Sequence, residues 1–392
     1  MSTSPLNQRS LRSVLALQWQ LIAGDRWFFS LLTWIPIGFC LTLYWVFSQG
    51  IATSLPIGIV DFNRSALSQE LVRHYDATPM LKVSEDFSDV TKAKQALVNG
   101  DIYAFLVIPE NFDKQVITAV PPPTATLFYN SQYLLVARLV NSAAVQAQGY
   151  FNAAVETQRQ LMSHQQTLAS AMGNAVTVRT QITPLFNNSS NYAQFLVPAL
   201  IPAVWQIMAV ALTVLALAKN YRHLGLSTWF ANQRYFSGLL LVLTPYALWF
   251  SALGILYLGG FYYLLNWPMH GELWVIVVAQ IATTFACMIM GSLFFFLTCD
   301  AARAMSFAAA YTAPSFAFMG ITFPASDMNS LALFWRQLLP VSHYIEVQIS
   351  QASYGLPSQT SLAMLLPMIG YLVPLILCLG FVRRHVNKEV AQ

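Results

Sequence analysis

Long apolar runs alternate with polar stretches along the chain, and the runs have the length of membrane-spanning helices. The first run, residues 28–47, would extend about 30 Å as a helix, which matches the hydrocarbon core of a bilayer. Further apolar runs follow at residues 195–218, 237–265, 273–298, 304–322 and 361–382. The pattern therefore predicts an α-helical integral membrane protein with six transmembrane helices in a 1+5 arrangement.

Residues 48–194, between the first and second runs, have a different pattern. Their first half alternates short β-rich runs, such as "LPIGIV", "LKVS" and "YAFLVIP", with helical segments. From Ser131 to about Ser170, apolar residues recur four apart and predict one long helix or two. We expect an α/β domain with long helices that pack on the α/β layer or on a partner.

Three shorter segments complete the predicted architecture. Residues 1–27 place apolar side chains at helical spacing and predict an amphipathic leader helix on the membrane surface. Residues 323–355 are too polar for a span and too apolar for water. We expect two short helices there, broken at Pro340, that enter the outer leaflet and return. Residues 383–392 form a polar tail.

The composition indicates a membrane protein, because 56% of the residues are hydrophobic and 9% are charged, whereas a soluble domain is about a quarter charged. The formal net charge of +4 does not indicate nucleic acid, because the basic residues cluster beside apolar runs, where they orient helices. Membrane lipids are the expected partners. The four cysteines lie in or beside apolar runs without metal-ligand spacing, so we expect them to pack among helices.

The distribution of Lys and Arg predicts the orientation. Six spans place both termini on one side of the membrane. The basic residues on that side are Arg9, Arg12, Arg26, Lys219, Arg222, Arg234, Arg303, Arg383, Arg384 and Lys388. Short loops on the other side contribute Arg336 alone. The positive-inside rule then makes both termini cytoplasmic, together with residues 219–234, here called the basic segment. It makes residues 48–194 external.

Motifs for catalysis are scarce in the sequence. There is no P-loop, no G-x-S-x-G and no H-E-x-x-H, so we do not expect the chain to hydrolyse nucleotide by itself. His343 and Glu346 are three apart on a proposed short helix and are spaced to pair. With Arg336 they would form a polar constriction, or they would anchor an interfacial helix in headgroups. Gln206 and Gln280, inside spans, are expected to hold helices together.

The order of motifs after the first run resembles the transmembrane permease subunits of type 2 ABC exporters, in the branch with a large external domain between the first and second spans. Members follow the first span with a strand ending in Asp, a Ser-rich helix start, a helix ending in Gly and a strand into Ile-Pro and Phe. The matching residues are Asp61, Ser65, Ser68, Gly100, Pro109 and Phe112.

The C-terminal part of the chain also resembles these permease subunits. The family has an apolar segment ending in Phe-Pro, then a Met, then Leu-Pro and an aromatic-rich helix, which "GITFPASDM" and "LLPVSHYIEVQ" match. We take Phe323, Pro324, Arg336, Pro340, His343, Tyr344 and Glu346 as candidates for an outer re-entrant gate.

The resemblance implies that the basic segment contains a coupling helix that docks on an ATP-binding subunit. The candidate coupling residues are Lys219, Tyr221, Arg222, His223, Leu224 and Gly225. The family usually has Arg-Glu-x-Glu-x-Gly-Thr here, and Gly225 alone agrees with it. Three explanations remain open: a divergent half of a heterodimer, an ATPase with a differently charged groove, or a basic loop that binds lipid headgroups.

The resemblance implies an exporter permease subunit in the inner membrane of a bacterium. Its expected partners are a separate ATP-binding subunit, a second permease as homodimer or heterodimer, and a periplasmic adaptor. ATP and Mg²⁺ are expected on the partner, and no cofactor on this chain. Aromatic-rich spans suit an amphipathic, lipid-like or drug-like cargo. The alternatives are a membrane-embedded transferase using His343, Glu346 and Asp300, and a receptor or docking protein with an external ligand-binding domain.

Overall fold

A computed structural model describes residues 11–48, 53–118, 124–164, 186–187, 191–230 and 234–391. The chain divides into two compact units. The helical unit comprises residues 1–50 and 184–392, and the α/β unit comprises residues 51–183.

The helical unit begins with α1 (Leu11–Ala23), α2 (Arg26–Leu32) and α3 (Trp34–Phe47). The sequence predicts one helix over residues 28–47, but α2 and α3 meet at a 45° bend. Thr33 leaves the helical backbone region at the bend, and its hydroxyl donates to the Phe29 carbonyl at 2.8 Å. A side chain that bonds to the preceding turn in this way is a common cause of helix bending.

The described part of the α/β unit alternates strands and helices, as the sequence predicts. Its elements are β1 (Leu55–Asp61), α4 (Ala66–Asp76), β2 (Leu81–Asp86), α5 (Val90–Asn99), β3 (Ala104–Ile108), α6 (Phe112–Thr118), β4 (Thr126–Tyr129) and α7 (Leu134–His164). The strand order is β2-β1-β3-β4, with β1 parallel to β2 and β3, and β4 antiparallel to β3. Part of the predicted long helix, residues 165–170, lies outside the described residues.

Two apolar cores cover the faces of this sheet. Ile57 and Ile59 of β1 pack on one face, in a core that also includes α4, α6 and α7. Val60 and Phe105 pack on the opposite face with α5. This alternation follows from the two-residue period of a strand. Helix α7 therefore packs on the α/β layer, with Ala147 fully buried.

The remaining described helices belong to the helical unit. They are α8 (Tyr192–Leu224), α9 (Leu226–Trp229), α10 (Tyr235–Gly259, continued by a π-helical turn, Gly260–Leu264), α11 (Leu273–Thr298), α12 (Ala301–Thr312), α13 (Ser315–Phe318), α14 (Ser330–Leu338), α15 (Pro340–Ala352), α16 (Ser358–Ala363) and α17 (Leu372–Ala391). A 3₁₀ segment, Leu366–Tyr371, joins α16 to α17.

Among the described residues, four helical stretches are long and apolar enough to cross a membrane: Tyr192–Leu224, Tyr235–Leu264, Leu273–Thr298 and Ser358–Ala391. The bent pair α2–α3 makes a fifth if it counts as one span. The predicted run 304–322 is not one helix, because α12 ends at Thr312 and Pro314 precedes α13. Proline lacks the N–H that a continuous helix requires. The six-span count stays a prediction.

Helix α11 lies at the centre of the helical unit and contacts α8, α10, α12, α15 and α17. The backbones of α8 and α11 approach closely at Gly291, where a Cβ atom would lie 2.8 Å from the Val210 carbonyl oxygen. Small residues at such crossings are typical of membrane helices. Much of the outer surface of α17 is apolar and uncovered, including Leu372, Val373, Ile376 and Leu377. Such a face suits contact with lipid.

Candidate functional site

The basic segment begins inside α8, which ends at Leu224, and Gly225 turns the chain into α9. Gly225 has φ 67° and ψ 163°, a backbone region that is almost restricted to glycine. A Cβ atom at this position would also lie 2.9 Å from a carboxylate oxygen of Glu389. The turn therefore requires glycine for two independent reasons.

Glu389 of α17 stabilises this turn by hydrogen bonds. Its carboxylate accepts hydrogen bonds from the Leu226 backbone N–H at 3.0 Å and from the Ser227 hydroxyl at 3.1 Å. The segment itself has no acidic residue, and this carboxylate comes from more than 160 positions further along the chain. The sequence analysis missed Glu389, because no local pattern connects it to the basic segment.

The Lys219 side chain points toward the first helices of the helical unit. Its Nζ lies 2.6 Å from the Asp25 carboxylate and 4.9 Å from the centre of the Phe28 ring. Asp25 also accepts from the Phe28 N–H at 3.1 Å, which caps α2. The hydrogen bond from Lys219 is the main cause that lowers the pKa of Asp25 below its ordinary value. Lys219 thus fixes the start of α2.

A buried amide pair adds a second link between α8 and the leader. Gln18 of α1 and Asn220 of α8 exchange two side-chain hydrogen bonds, of 2.8 and 3.0 Å. The Tyr246 hydroxyl of α10 donates to Gln18 at 3.2 Å. Helix α1 is therefore held by the helical unit through polar bonds and through Leu17, which is buried in the core. Its contact with a membrane stays a prediction, and residues 1–10 lie outside the described residues.

The predicted coupling residues therefore divide into inward and outward groups. Tyr221 packs edge-on against Phe295 at 6.1 Å, and Leu224 is half-buried. Arg222 and His223 are exposed. Arg234 is also exposed, and residues 231–233 lie outside the described residues. The exposed Arg222–His223 pair, beside the Gly225 turn, is therefore accessible to a partner.

Three of the predicted gate residues, Arg336, His343 and Glu346, make polar contacts between α14, α15 and the segment after α13. Arg336 is buried, donates to the Met319 carbonyl at 3.0 Å and forms an ion pair with Glu346. The guanidinium lies over Gly320, where a Cβ atom would be 3.2 Å from Nη1. The three-residue spacing predicts that Glu346 pairs with His343. In the structure Glu346 pairs with Arg336 instead. The His343 ring nitrogen Nε2 lies 3.0 Å from the Gln337 carbonyl.

Gln206 of α8 joins this cluster to the centre of the helical unit. Its amide donates to Ser315 at 2.7 Å and accepts from the Val341 N–H at 2.9 Å, at the start of α15. Since Pro340 occupies the first position of α15, the amide satisfies a backbone donor that the helix leaves free. Gln206 therefore holds helices together, as the sequence indicates.

The other predicted gate residues differ in exposure. Tyr344 of α15 is buried in an apolar core, whereas Phe323 and Pro324 are exposed. Two helices, α14 and α15, meet at Pro340, where the sequence predicts a break. Their position relative to a bilayer stays a prediction.

A cavity of about 350 Å³ lies beside α15, between the first turns of α8 and the chain after α10. Its wall combines aromatic rings with amide groups, and includes Phe195, Tyr262, Trp267, Tyr354, Gln194 and Gln348. No charged side chain is among the described residues that form the wall. The sequence analysis did not find this cavity, because its wall comes from four separate parts of the chain.

The motif residues of the α/β unit have structural roles. The Asp61 carboxylate, at the end of β1, accepts from the Arg64 N–H at 2.9 Å and the Ser68 hydroxyl at 2.6 Å. Ser65 and Ser68 form a reciprocal capping box at the start of α4. Gly100, with φ 86°, ends α5 in the left-handed conformation.

The last two residues of this motif set the start of α6. The Pro109 carbonyl accepts from the Phe112 N–H at 3.2 Å, and the Phe112 ring is buried against Phe151. The motif thus stabilises the turns of the α/β unit.

Among the described residues, no group of three or more His, Cys, Asp or Glu side chains is placed to hold a metal ion.

Comparison with known proteins identifies the family. A search of curated proteins gave no match. A family model described as "ABC-2 family transporter protein" matches residues 26–382, which cover the α/β unit and most of the helical unit. The chain is a membrane permease component of an ABC transporter, works with an ATP-binding subunit, and belongs to the ABC-2 transporter family.

Proposed function

We propose that this chain is the permease subunit of an ATP-driven exporter in a bacterial inner membrane. It would act as a homodimer or heterodimer with a separate ATP-binding subunit, which would bind ATP and Mg²⁺. In this proposal the chain crosses the membrane six times, and α12 and α13 form the fifth span, which is broken. Both termini would be cytoplasmic, and the α/β unit would be periplasmic, where it would meet an adaptor protein.

The observation that carries the proposal is the geometry of the basic segment. Arg222 and His223 are exposed, while Lys219 and Glu389 bind the same segment to α2 and α17. A partner that pushes on the exposed pair would therefore move the ends of three helices together. Such a connection suits the transmission of nucleotide-driven closure, in which the partner binds two permease conformations with different affinity.

Co-purification with the ATP-binding subunit tests this docking. Arg222→Glu reverses an exposed charge and removes a long hydrogen bond, of 3.4 Å, to the Ala218 carbonyl within α8. We expect about a tenfold loss of binding, equivalent to about 1.4 kcal/mol. Arg138→Glu, which reverses an exposed charge on α7, is the matched control and should bind normally. Normal binding by both variants would remove the basic segment from the proposed interface.

An amphipathic or lipid-like cargo is proposed from the wall of the cavity beside α15. Rings such as Trp267 and Tyr354 offer apolar contact, and the amides of Gln194 and Gln348 offer hydrogen bonds. The wall suits a molecule with a neutral polar group and an apolar body. Transport of fluorescent lipids and of hydrophobic drugs by the complex in liposomes would test this class. Stimulation of ATP hydrolysis by small hydrophilic solutes alone would contradict it.

The proposed permease dimer contains either two copies of this chain or one copy and a second permease. Two differently tagged copies of this chain, expressed together with the ATPase, would distinguish the two assemblies. Capture of one tag with the other supports a homodimer, and capture of a second permease of similar length supports a heterodimer.

A further inference from the structure

A second, much smaller cavity lies inside the helical unit, between α8, α10, α11 and α15. Its volume is about 20 Å³. A water molecule requires about 10–15 Å³ of such space, so the cavity accommodates a single water molecule. The residues around it are Ile201, Pro202, Trp205, Gly254, Tyr257, Leu258, Phe261, Gln280 and Tyr344, none of which is charged.

Three of these residues carry a buried polar atom that has no nitrogen or oxygen hydrogen-bond partner among the described residues. They are the indole Nε1 of Trp205, the hydroxyl oxygen of Tyr257 and the amide oxygen of Gln280. Trp205 and Gln280 are 5% and 2% exposed, so neither is solvated from outside the helical unit. The Tyr257 hydroxyl faces the Cys40 thiol, which is a weak hydrogen-bond partner.

Leaving these atoms without partners is costly at this depth. Each of the three residues lies on a helix long enough to cross a membrane, and an unpaired polar group in such a setting costs several kcal/mol. The three atoms include a donor, an acceptor and a hydroxyl that is both. A cation does not suit the set, because the indole N–H repels positive charge and no carboxylate is present in the wall.

The amide of Gln280 is also fixed by its surroundings. Its nitrogen donates to the Phe250 carbonyl at 3.2 Å, and its side chain occupies the space where a Cβ atom of residue 254 would lie. Gly254 therefore allows the amide to reach α10, and the bond at nitrogen leaves the oxygen available. Pro202, in the same wall, interrupts the backbone bonds of α8.

From these observations we infer a binding site for one structural water molecule, which Trp205 and Tyr257 hold together with Gln280. The water accepts from the indole N–H, donates to the amide oxygen and bonds with the phenol. It therefore links α8, α10 and α11 by exchangeable hydrogen bonds, at a level where the proline of α8 weakens that helix. The inference does not depend on the cargo or on the direction of transport.

Double-mutant analysis of the full chain in nanodiscs tests the site. Trp205→Phe removes the indole N–H together with part of the ring, and Gln280→Met removes the amide oxygen together with the nitrogen that donates to Phe250. Each variant should lower the melting temperature by at least about 2 °C. Because both atoms bind the same water, the double variant should lose at least about 2 °C less than the sum of the two shifts. Additive shifts would overturn the inference.

A matched control and a direct observation complete the test. Gln348→Met removes another buried amide, which donates to Tyr262, and should combine additively with Trp205→Phe. A cryo-electron microscopy map at high resolution should show a peak within hydrogen-bond distance of all three polar atoms. A map in which the Trp205 indole donates directly to the Gln280 amide oxygen would replace the water with a direct bond and overturn the site, even if the shifts are non-additive.

Discussion

Gly225→Ala probes the turn that presents the basic segment. The substitution forces an alanine into φ 67° and ψ 163°. It also places a methyl group 2.9 Å from a carboxylate oxygen of Glu389. The backbone or the carboxylate must therefore shift, and either shift breaks the bonds that hold Leu226 and Ser227.

The expected cost follows from these two effects. A non-glycine residue in this backbone region costs about 1–3 kcal/mol. Loss of the two hydrogen bonds to the Glu389 carboxylate adds about 1–2 kcal/mol, since the group is half-buried and partly screened. Together they predict a destabilisation of about 2–5 kcal/mol, localised at the turn between α8 and α9.

Two measurements on the same preparations check this prediction: thermal unfolding of the purified chain, and binding of the ATP-binding subunit. Gly380→Ala is the matched control, because a Cβ atom at this helical position meets nothing within 4 Å. It should be neutral or slightly stabilising. Glu389→Gln should show an intermediate loss of stability. If Gly225→Ala unfolds at the wild-type temperature and binds the ATPase normally, the proposed rigidity of the turn is wrong.

Further predictions concern three other contacts. Glu346→Ala leaves the buried Arg336 without its counter-charge, and should destabilise the chain by about 1.5–3 kcal/mol in thermal unfolding. The double variant, which carries both Glu346→Ala and Arg336→Met, should be destabilised less, because no unpaired charge stays buried. Asp25→Asn should be less stable than the wild type at neutral pH. Because the hydrogen bond from Lys219 lowers the pKa of Asp25 below 3.8, the difference should begin to shrink as pH falls below about 4 and should vanish below the lowered pKa, in a pH series of melting curves. Ser65→Ala removes a helix cap and should cost about 1 kcal/mol in the α/β unit, measured by local hydrogen exchange.

Much of the fold could be predicted from the sequence, because the signals are local. Ser65 before an apolar helix and Gly100 after another mark helix ends that the structure contains. Apolar runs longer than twenty residues identify α8, α10 and α11. The bend at Thr33 and the break at Pro314 are harder to predict, because hydropathy is averaged over a window of residues and does not report the direction of the backbone.

The site depended on contacts between distant residues, which a single sequence does not reveal. The three-residue spacing of His343 and Glu346 predicts a pair, but the longer Arg336 side chain reaches Glu346 from α14. Asp25 and Glu389 similarly contact the basic segment from the two ends of the described chain. Local spacing identifies residues on one helix face, whereas a bundle is held by side chains that cross between helices.

The central claim is that Arg222 and His223 face the cytoplasm, where an ATPase can reach them. The most direct test introduces His223→Cys into a chain whose four native cysteines are replaced by serine or alanine, followed by labelling with a membrane-impermeant maleimide. The account predicts labelling in inverted vesicles, and protection from it when the ATP-binding subunit is bound. Labelling in right-side-out vesicles would contradict the topology and the coupling role.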